Sequence, residues 1–108
     1  MEKTFAALGD PTRLAVINLL RDRPHRAGEL AIALHMSAPA LSRHLRVLRK
    51  SGLIADDEQD SDARVRLYRL QPAAFASMRD WLMEVEAFWG GQLEAFKAHA
   101  EPDGASRK

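Results

Sequence analysis

The sequence predicts a mainly α-helical chain with one small β-hairpin, in the order α-α-α-α-β-β-α. Three observations predict it. Apolar residues recur at three- and four-residue steps through most of the first fifty residues, and again from 73 to 99, as they do in helices buried on one side. Between 53 and 70 the period shortens, and two apolar runs flank an acidic, turn-forming stretch. The segment Ser37–Gly52, SAPALSRHLRVLRKSG, reads as one helix with both of its ends written in.

Taken in order, residues 2–8 (EKTFAAL) form a short helix with Phe5 and Leu8 on one side. Gly9-Asp10-Pro11 breaks it. Asp10 or Thr12 caps the next helix, and Pro11 sits at its start, where a missing N–H costs little. That helix, roughly 11–22, presents Leu14, Val16, Ile17, Leu19 and Leu20. Arg23-Pro24-His25-Arg26 closes it, because proline biases the residue before it toward extended geometry. Residues 27–34 (AGELAIAL) make a short helix with Leu30, Ala31 and Leu34 inward, and His35-Met36 is the turn out of it.

In Ser37–Gly52 the serine hydroxyl can accept a backbone N–H orphaned in the first turn, and Pro39 falls inside that turn. Gly52 can adopt the left-handed conformation that ends a helix. Leu41, Leu45 and Leu48 make one apolar stripe, and Pro39, Arg43, Arg46 and Lys50 lie roughly opposite. Ser42, His44 and Arg49 flank the stripe, and the segment holds no acid. A short helix anchored by leucines and showing arginines outward suits the DNA major groove, although an ordinary amphipathic surface helix has the same pattern. Its neighbours separate the two readings. Short helix, tight turn and cationic helix follow one another as in a helix-turn-helix, where the first helix braces the second.

Leu53-Ile54-Ala55 starts a strand and residues 63–70 (ARVRLYRL) form a second, with Ser61-Asp62 as the turn in DDEQDSD. A hairpin directly after a reading helix is a wing. An isolated hairpin is marginal in water, so it must pack on something. From 73 to 99 one long helix carries Phe75, Met78, Leu82, Val85, Trp89, Leu93 and Phe96 in a stripe, widened by Trp81 and Phe88 and weakened at Gly90-Gly91. A chain this small cannot cover all of it, and uncovered apolar surface of that size calls for a partner, most simply a second copy. Residues 1–100 are thus expected to form one winged helix-turn-helix domain for DNA binding and dimerisation, with 101–108 a disordered tail.

At 108 residues with a net charge of +1, the total charge says little; its distribution says more. Residues 1–52 carry nine Lys/Arg against four Asp/Glu, and residues 53–108 carry seven against eleven. Such asymmetry accompanies a nucleic-acid-binding face. The absence of cysteine removes disulfides, thiol nucleophiles and thiolate metal sites. No long uncharged apolar run is present, so a soluble, cytoplasmic protein without membrane contact is expected. The wing acids Asp56, Asp57, Glu58, Asp60 and Asp62 lack calcium-loop spacing, and a solvated loop offers no cleft for acid–base catalysis. No enzymatic activity and no cofactor are expected. His25, His35, His44 and His99 are scattered, so a metal would need a site shared across a dimer, using His99 with Glu94 or Glu101.

The chain resembles the ArsR-type (arsenical-resistance repressor) winged-helix regulators over almost its whole length. The resemblance rests on Ala7-Leu8-Gly9-Asp10-Pro11-Thr12-Arg13-Leu14, on Gly28-Glu29-Leu30-Ala31, on Ser37 with Ser42-Arg43-His44-Leu45-Arg46-Val47-Leu48-Arg49, on Ser51-Gly52-Leu53, and on Tyr68-Arg69-Leu70. It implies a homodimeric repressor with the first and last helices at the dimer interface, here Phe5, Leu8, Met78, Leu82, Val85, Trp89, Leu93 and Phe96. Where metal-sensing members carry a Cys-x-Cys box, this chain has Leu30-Ala31-Ile32-Ala33, and the Asp-x-His and His-x-x-Glu pairs of the last helix are missing. It therefore resembles a member that does not sense metal.

The expected DNA contacts are Ser37, Ala38, Pro39, Ser42, Arg43, His44, Arg46, Arg49, Lys50, Arg64 and Arg66. Arg43 and Arg46 are expected to read bases. Arg49, Lys50, Arg64 and Arg66 are expected to hold phosphates, while the acidic wing tip repels them. The partner is double-stranded DNA with an inverted-repeat operator, and release calls for a small-molecule effector, a modification or a protein that favours a second dimer geometry. Two other functions fit parts of the pattern: a winged-helix protein-interaction module without DNA binding, favoured by the acidic wing, and a metal sensor with a cross-dimer site.

Overall fold

Each helix begins and ends where local chemistry dictates. The structure, a computed structural model, describes residues 1–57 and 65–100, with side chains through Lys97. The expectations that fall on Arg64, the Ser61-Asp62 turn, Glu58, Asp60, Asp62, the His99 side chain, Glu101 and the 101–108 tail lie outside the described residues.

Helix α1 (Glu2–Leu8) stops at Gly9. Asp10 then caps α2 (Pro11–Asp22), its carboxylate accepting the Arg13 N–H at 3.0 Å, with Pro11 in the first turn. Helix α3 (Ala27–Leu34) starts where the Glu29 carboxylate folds back to accept the Arg26 N–H at 2.8 Å. The helix expected to read DNA is α4 (Ala38–Lys50), and the Ser37 hydroxyl accepts the Ala40 N–H at 3.3 Å. Both helices of the pair end in the same hydrogen-bonded motif. At the end of α4, Gly52 N–H donates to the Arg49 carbonyl and Leu53 N–H to the Leu48 carbonyl, each at 3.1 Å, with Gly52 at φ +84° as expected. At the end of α3, His35 N–H donates to the Ile32 carbonyl and Met36 N–H to the Ala31 carbonyl. There the left-handed position is filled by His35, at φ 54°, the one non-glycine residue with positive φ among the described residues.

The expected hairpin is part of a three-stranded antiparallel sheet. Strands β2 (Ile54–Asp56) and β3 (Leu67–Leu70) pair as anticipated, but β3 also pairs on its other side with β1 (His25–Arg26), giving the order β1-β3-β2. The sequence reading treated 23–26 only as a break. The extended backbone that Pro24 forces there supplies the edge to which β3 adds, with His25 opposite Tyr68. His25 is buried and donates Nδ1–H to the Arg23 carbonyl at 2.8 Å, which fixes this turn. The third strand is also shorter than expected, because Val65 and Arg66 stand outside the ladder. Tyr68 is the centre of the sheet, paired with His25 on one side and Asp56 on the other.

The core is built from Val16, Ile17, Leu20, Leu30, Leu41, Leu45, Leu48, Leu53, Ile54 and Tyr68, all nearly free of solvent contact. Each large side chain buried in this way is worth roughly 1.5–3 kcal/mol. Leu14, one of the apolar residues that α2 presents, is 46% exposed. The inward side of the first turn of α2 is taken by Arg13, one helical turn before Val16 and Ile17, whose Nε–H reaches the Ala7 carbonyl at 2.6 Å.

The chain divides into two compact units, Met1–Phe75 and the remainder from Ala76. The last helix, α5 (Pro72–Ala100), runs through Gly90-Gly91 without interruption. None of the described helices is long and apolar enough to cross a membrane.

Two stability predictions follow from these ends. His35 is exposed and pays the steric cost of a left-handed residue, so His35→Gly is expected to stabilise the fold by about 0.5–1 kcal/mol. A higher denaturant midpoint at unchanged slope is the expected reading, and an unchanged or lower midpoint would contradict it. The second concerns acid. Backbone N–H donors at Arg13 and Arg26 hold the Asp10 and Glu29 carboxyls below their ordinary pKa values. Their contribution is complete above the ordinary carboxylate range and is lost as pH falls through the lowered native values. Thermal midpoints of the Asp10→Asn, Glu29→Gln double variant should therefore fall less than wild type below about pH 4. Parallel acid limbs would show that these two caps carry no acid sensitivity.

Candidate nucleic-acid interface

Burial of Leu41, Leu45 and Leu48 turns the opposite side of α4 to solvent. Ala38, Pro39, Ser42, Arg43, Arg46 and Lys50 are all exposed. Among the described residues Arg43, Arg46 and Lys50 make no hydrogen bond or ion pair, so three cations stand with their donors free along one face of a helix. Arg49 and Lys50 in the last turn also oppose the negative end of the helix dipole.

The other expected contacts are held elsewhere. Arg49 Nη1 lies 3.1 Å and Arg66 Nη1 3.4 Å from the same carboxylate oxygen of Asp56. The Asp56 side chain is only 3% exposed. This corrects two expectations together. Arg49 and Arg66 are tied across the start of the wing, and each shares its charge with Asp56. Asp56, read as part of a repelling acidic tip, is instead enclosed by two guanidinium groups. Opposite charges attract more strongly as water is excluded, so the enclosed Asp56 carboxylate holds two guanidinium partners. Arg49 keeps a partly exposed side chain, so it lies beside the reading face while its charge is shared.

His44 also differs from expectation. It is half-buried, and its Nδ1 accepts from Arg13 Nη1 at 3.3 Å. The Asp10 carboxylate lies 3.8 Å from the same nitrogen. Arg13 thereby joins three elements: the α1 carbonyl end through Ala7, its own helix start beside Asp10, and the middle of α4 through His44. His44 is a brace for α4 on this geometry. Ser37 uses its oxygen as the helix cap, which leaves its O–H proton for an outside acceptor.

Asp10, Arg13 and Asp56 were the organising residues that sequence reasoning assigned no such role. The Asp10-Pro11 cap was visible in the sequence, but pairings of Arg13 with His44 and of Asp56 with Arg49 join residues far apart or on different elements. Among the described residues no three His, Asp or Glu side chains converge as a metal site.

On α5 the expected stripe is largely open. Leu82, Trp89, Leu93 and Phe96 are each more than half exposed, as is Phe88, whose ring meets Trp89 edge to face at 5.9 Å. Val85 is half-buried. Met78, also expected at a subunit interface, is buried. Phe5 and Leu8 on α1 are half-buried.

Residues 10–56 match the family described as bacterial regulatory protein, arsR family, a span that runs from the α2 cap through α4 into β2. The chain is 33% identical over 103 residues to the HTH-type transcriptional regulator Rv2034 of Mycobacterium tuberculosis, covering 95% of this chain and 91% of that protein. It is 39% identical over 89 residues to the arsenical resistance operon repressor of Escherichia coli, covering 76% and 73% respectively. Among solved structures, the ArsR-like transcriptional regulator from Rhodococcus sp. RHA1 superimposes with a TM-score of 0.75 at 31% identity, over 93% of this chain and 92% of that one. These relatives are regulators of transcription, not enzymes. With a relative one-third identical along nearly its full length, and with the reading helix inside the matched span, the chain belongs to the arsR family: it is a transcriptional regulator with a DNA-binding helix-turn-helix.

Proposed function

We propose that this protein represses transcription as a homodimer seated on an inverted-repeat operator. The observation that carries the reading is the sorting of cations on and beside α4. Arg43, Arg46 and Lys50 are exposed and uncommitted, whereas Arg49 and Arg66 are committed to Asp56. In the major groove, Arg43 and Arg46 each have the fork geometry for a bidentate contact with guanine. Lys50 serves as a phosphate contact, and Ser37, Ala38, Pro39 and Ser42 place the start of α4 against the backbone. Arg49 is a secondary phosphate contact, and Arg64 is assigned with it from the sequence alone.

Dimerisation is supported by the apolar side chains of α5 that one chain leaves open to water. Leu82, Val85, Trp89, Leu93 and Phe96 share one stripe and form the proposed interface, joined by Phe5 and Leu8. Repression is the role named for the similar Escherichia coli protein. The rival reading, a protein-interaction module without DNA, drew its support from an acidic wing; the enclosure of Asp56 by two arginines weakens it. Without cysteine, and without the paired histidines of metal-sensing members, the protein is proposed to act without a metal cofactor, in the cytoplasm where its DNA lies.

With two α4 helices in successive major grooves, the half-sites should lie one or two helical turns apart, each about 10 bp. Arg43→Ala and Arg46→Ala should each weaken operator binding by roughly 1–3 kcal/mol and relax preference at one base position per half-site. Titration against operator variants checks this; silence of both substitutions would remove α4 as the reader. Trp89→Glu would place an unpaired charge in the interface, and sedimentation should then show monomer or aggregate in place of dimer. A wild-type dimer mass in that variant would move the interface off α5.

A further inference from the structure

A cleft of about 320 Å³ opens between α3, α4 and β3. Its walls are Ala27, Gly28 and Ala31 of α3, Ala38, Pro39, Leu41, Ser42 and Leu45 of α4, and Tyr68 of the sheet. Among the described residues no charged one lines it. The small side chains of α3 create the space: alanine and glycine stand where larger residues would close the two helices together. Tyr68 is only 5% exposed, yet among the described residues its hydroxyl has no hydrogen-bond partner. That hydroxyl is not sealed away, because no buried polar side-chain atom in the described structure lacks a partner. A phenol whose ring is buried and whose O–H is both unpaired and reachable faces whatever enters from outside. Because solvent can reach it, the same O–H is open to a hydrogen-bonding group of a ligand.

We propose that this cleft is an effector site for a small, neutral, mainly apolar molecule carrying one hydrogen-bonding group, and that its occupancy competes with DNA. The apolar side chains of the described walls favour a neutral, apolar occupant over an ion or a phosphate. The size fits a ring system of about ten heavy atoms, within the range of small-molecule pockets. Tyr68 supplies the polar contact, and Ser42, also on the wall, is close to the entrance side because it is itself exposed. Competition follows from shared residues: Ala38, Pro39 and Ser42 line the cleft and also belong to the proposed DNA face. This second half of the inference rests on the DNA-binding reading above; the first half does not.

The probe is 1-naphthol, with naphthalene and 1-naphthoate as controls. Amide shifts are followed by NMR on the full chain without DNA. Naphthol is expected to bind with a dissociation constant of about a millimolar or tighter, with the largest shifts at Ala27, Gly28, Ala31, Ser42 and Tyr68. Tyr68→Phe, nearly the same shape, should weaken naphthol by roughly two- to tenfold and leave naphthalene unchanged. Naphthoate should bind more weakly than naphthol. Shifts confined to α5, or equal loss of naphthol and naphthalene in Tyr68→Phe, would overturn the site. Naphthol should then raise the apparent dissociation constant for operator DNA in wild type and less so in Tyr68→Phe. A ternary complex of unchanged affinity would overturn the competition. If the protein binds no DNA even without naphthol, the functional reading fails, while the NMR titration still decides the cleft.

Discussion

The burial of Leu41, Leu45 and Leu48 decides which side chains α4 can offer to anything outside the molecule. A helix has one angular position in which these three are inward, and in it Arg43, Arg46 and Lys50 are outward. Rotating α4 by even part of a turn would expose leucine and bury an arginine. Exposing one such leucine costs about 1.5–3 kcal/mol, before the cost of an unpaired buried charge. The hydrophobic core thus sets the chemistry of the reading face, and the ends of the helix set its height. Ser37 fixes where α4 starts, and the Gly52 turn brings Leu53 back under Leu48, both of them buried.

Around this fixed helix, polar contacts do a different job from the leucines. Arg13 reaches His44 from one side, while Asp56 reaches Arg49 from the sheet side. Each contact is directional, so each resists sliding that apolar packing alone would tolerate. The Asp56 contact also joins the wing to the helix it flanks. Arg66, on the returning chain before β3, binds the same oxygen as Arg49, so the two ends of the wing and the C-terminal turn of α4 share one carboxylate. A helix carrying only free arginines would repel itself and its neighbours. Committing one cation at its end to an acid reduces that repulsion and leaves Arg43, Arg46 and Lys50 untouched.

How much of this was legible in the sequence depends on range. The helix limits were, because caps act within four residues: Asp10, Pro11, Ser37, Pro39 and Gly52 all work as their residue types dictate. The helix-turn-helix order and the two wing strands were legible for the same reason. The strand at His25–Arg26 was not, since two residues have no period and become a strand only when β3 arrives beside them. His35 in a left-handed conformation was not, because glycine is the residue that announces that geometry. Within the site, free and committed arginines are identical as letters. Arg46 and Arg49 stand three residues apart on one helix, and only the position of Asp56 distinguishes them.

That distinction changes what charge asymmetry means here. The cationic first half and acidic second half of the chain suggest a basic reader beside a wing that repels DNA. The fold instead brings acid from the second half onto arginine of the first, and part of the asymmetry cancels at Asp56. Three of the cations left without an ion pair among the described residues stand together on α4, in a direction set by leucines. The same packing leaves alanine and glycine of α3 facing the start of α4, and so opens the cleft over Tyr68. Bulk on α3 would seal that cleft and hold α4 more rigidly. A bracing helix that presents Ala27, Gly28 and Ala31 leaves one side of the N-terminal turn of α4 open, the turn that a ligand in the cleft and a phosphate outside would both have to touch.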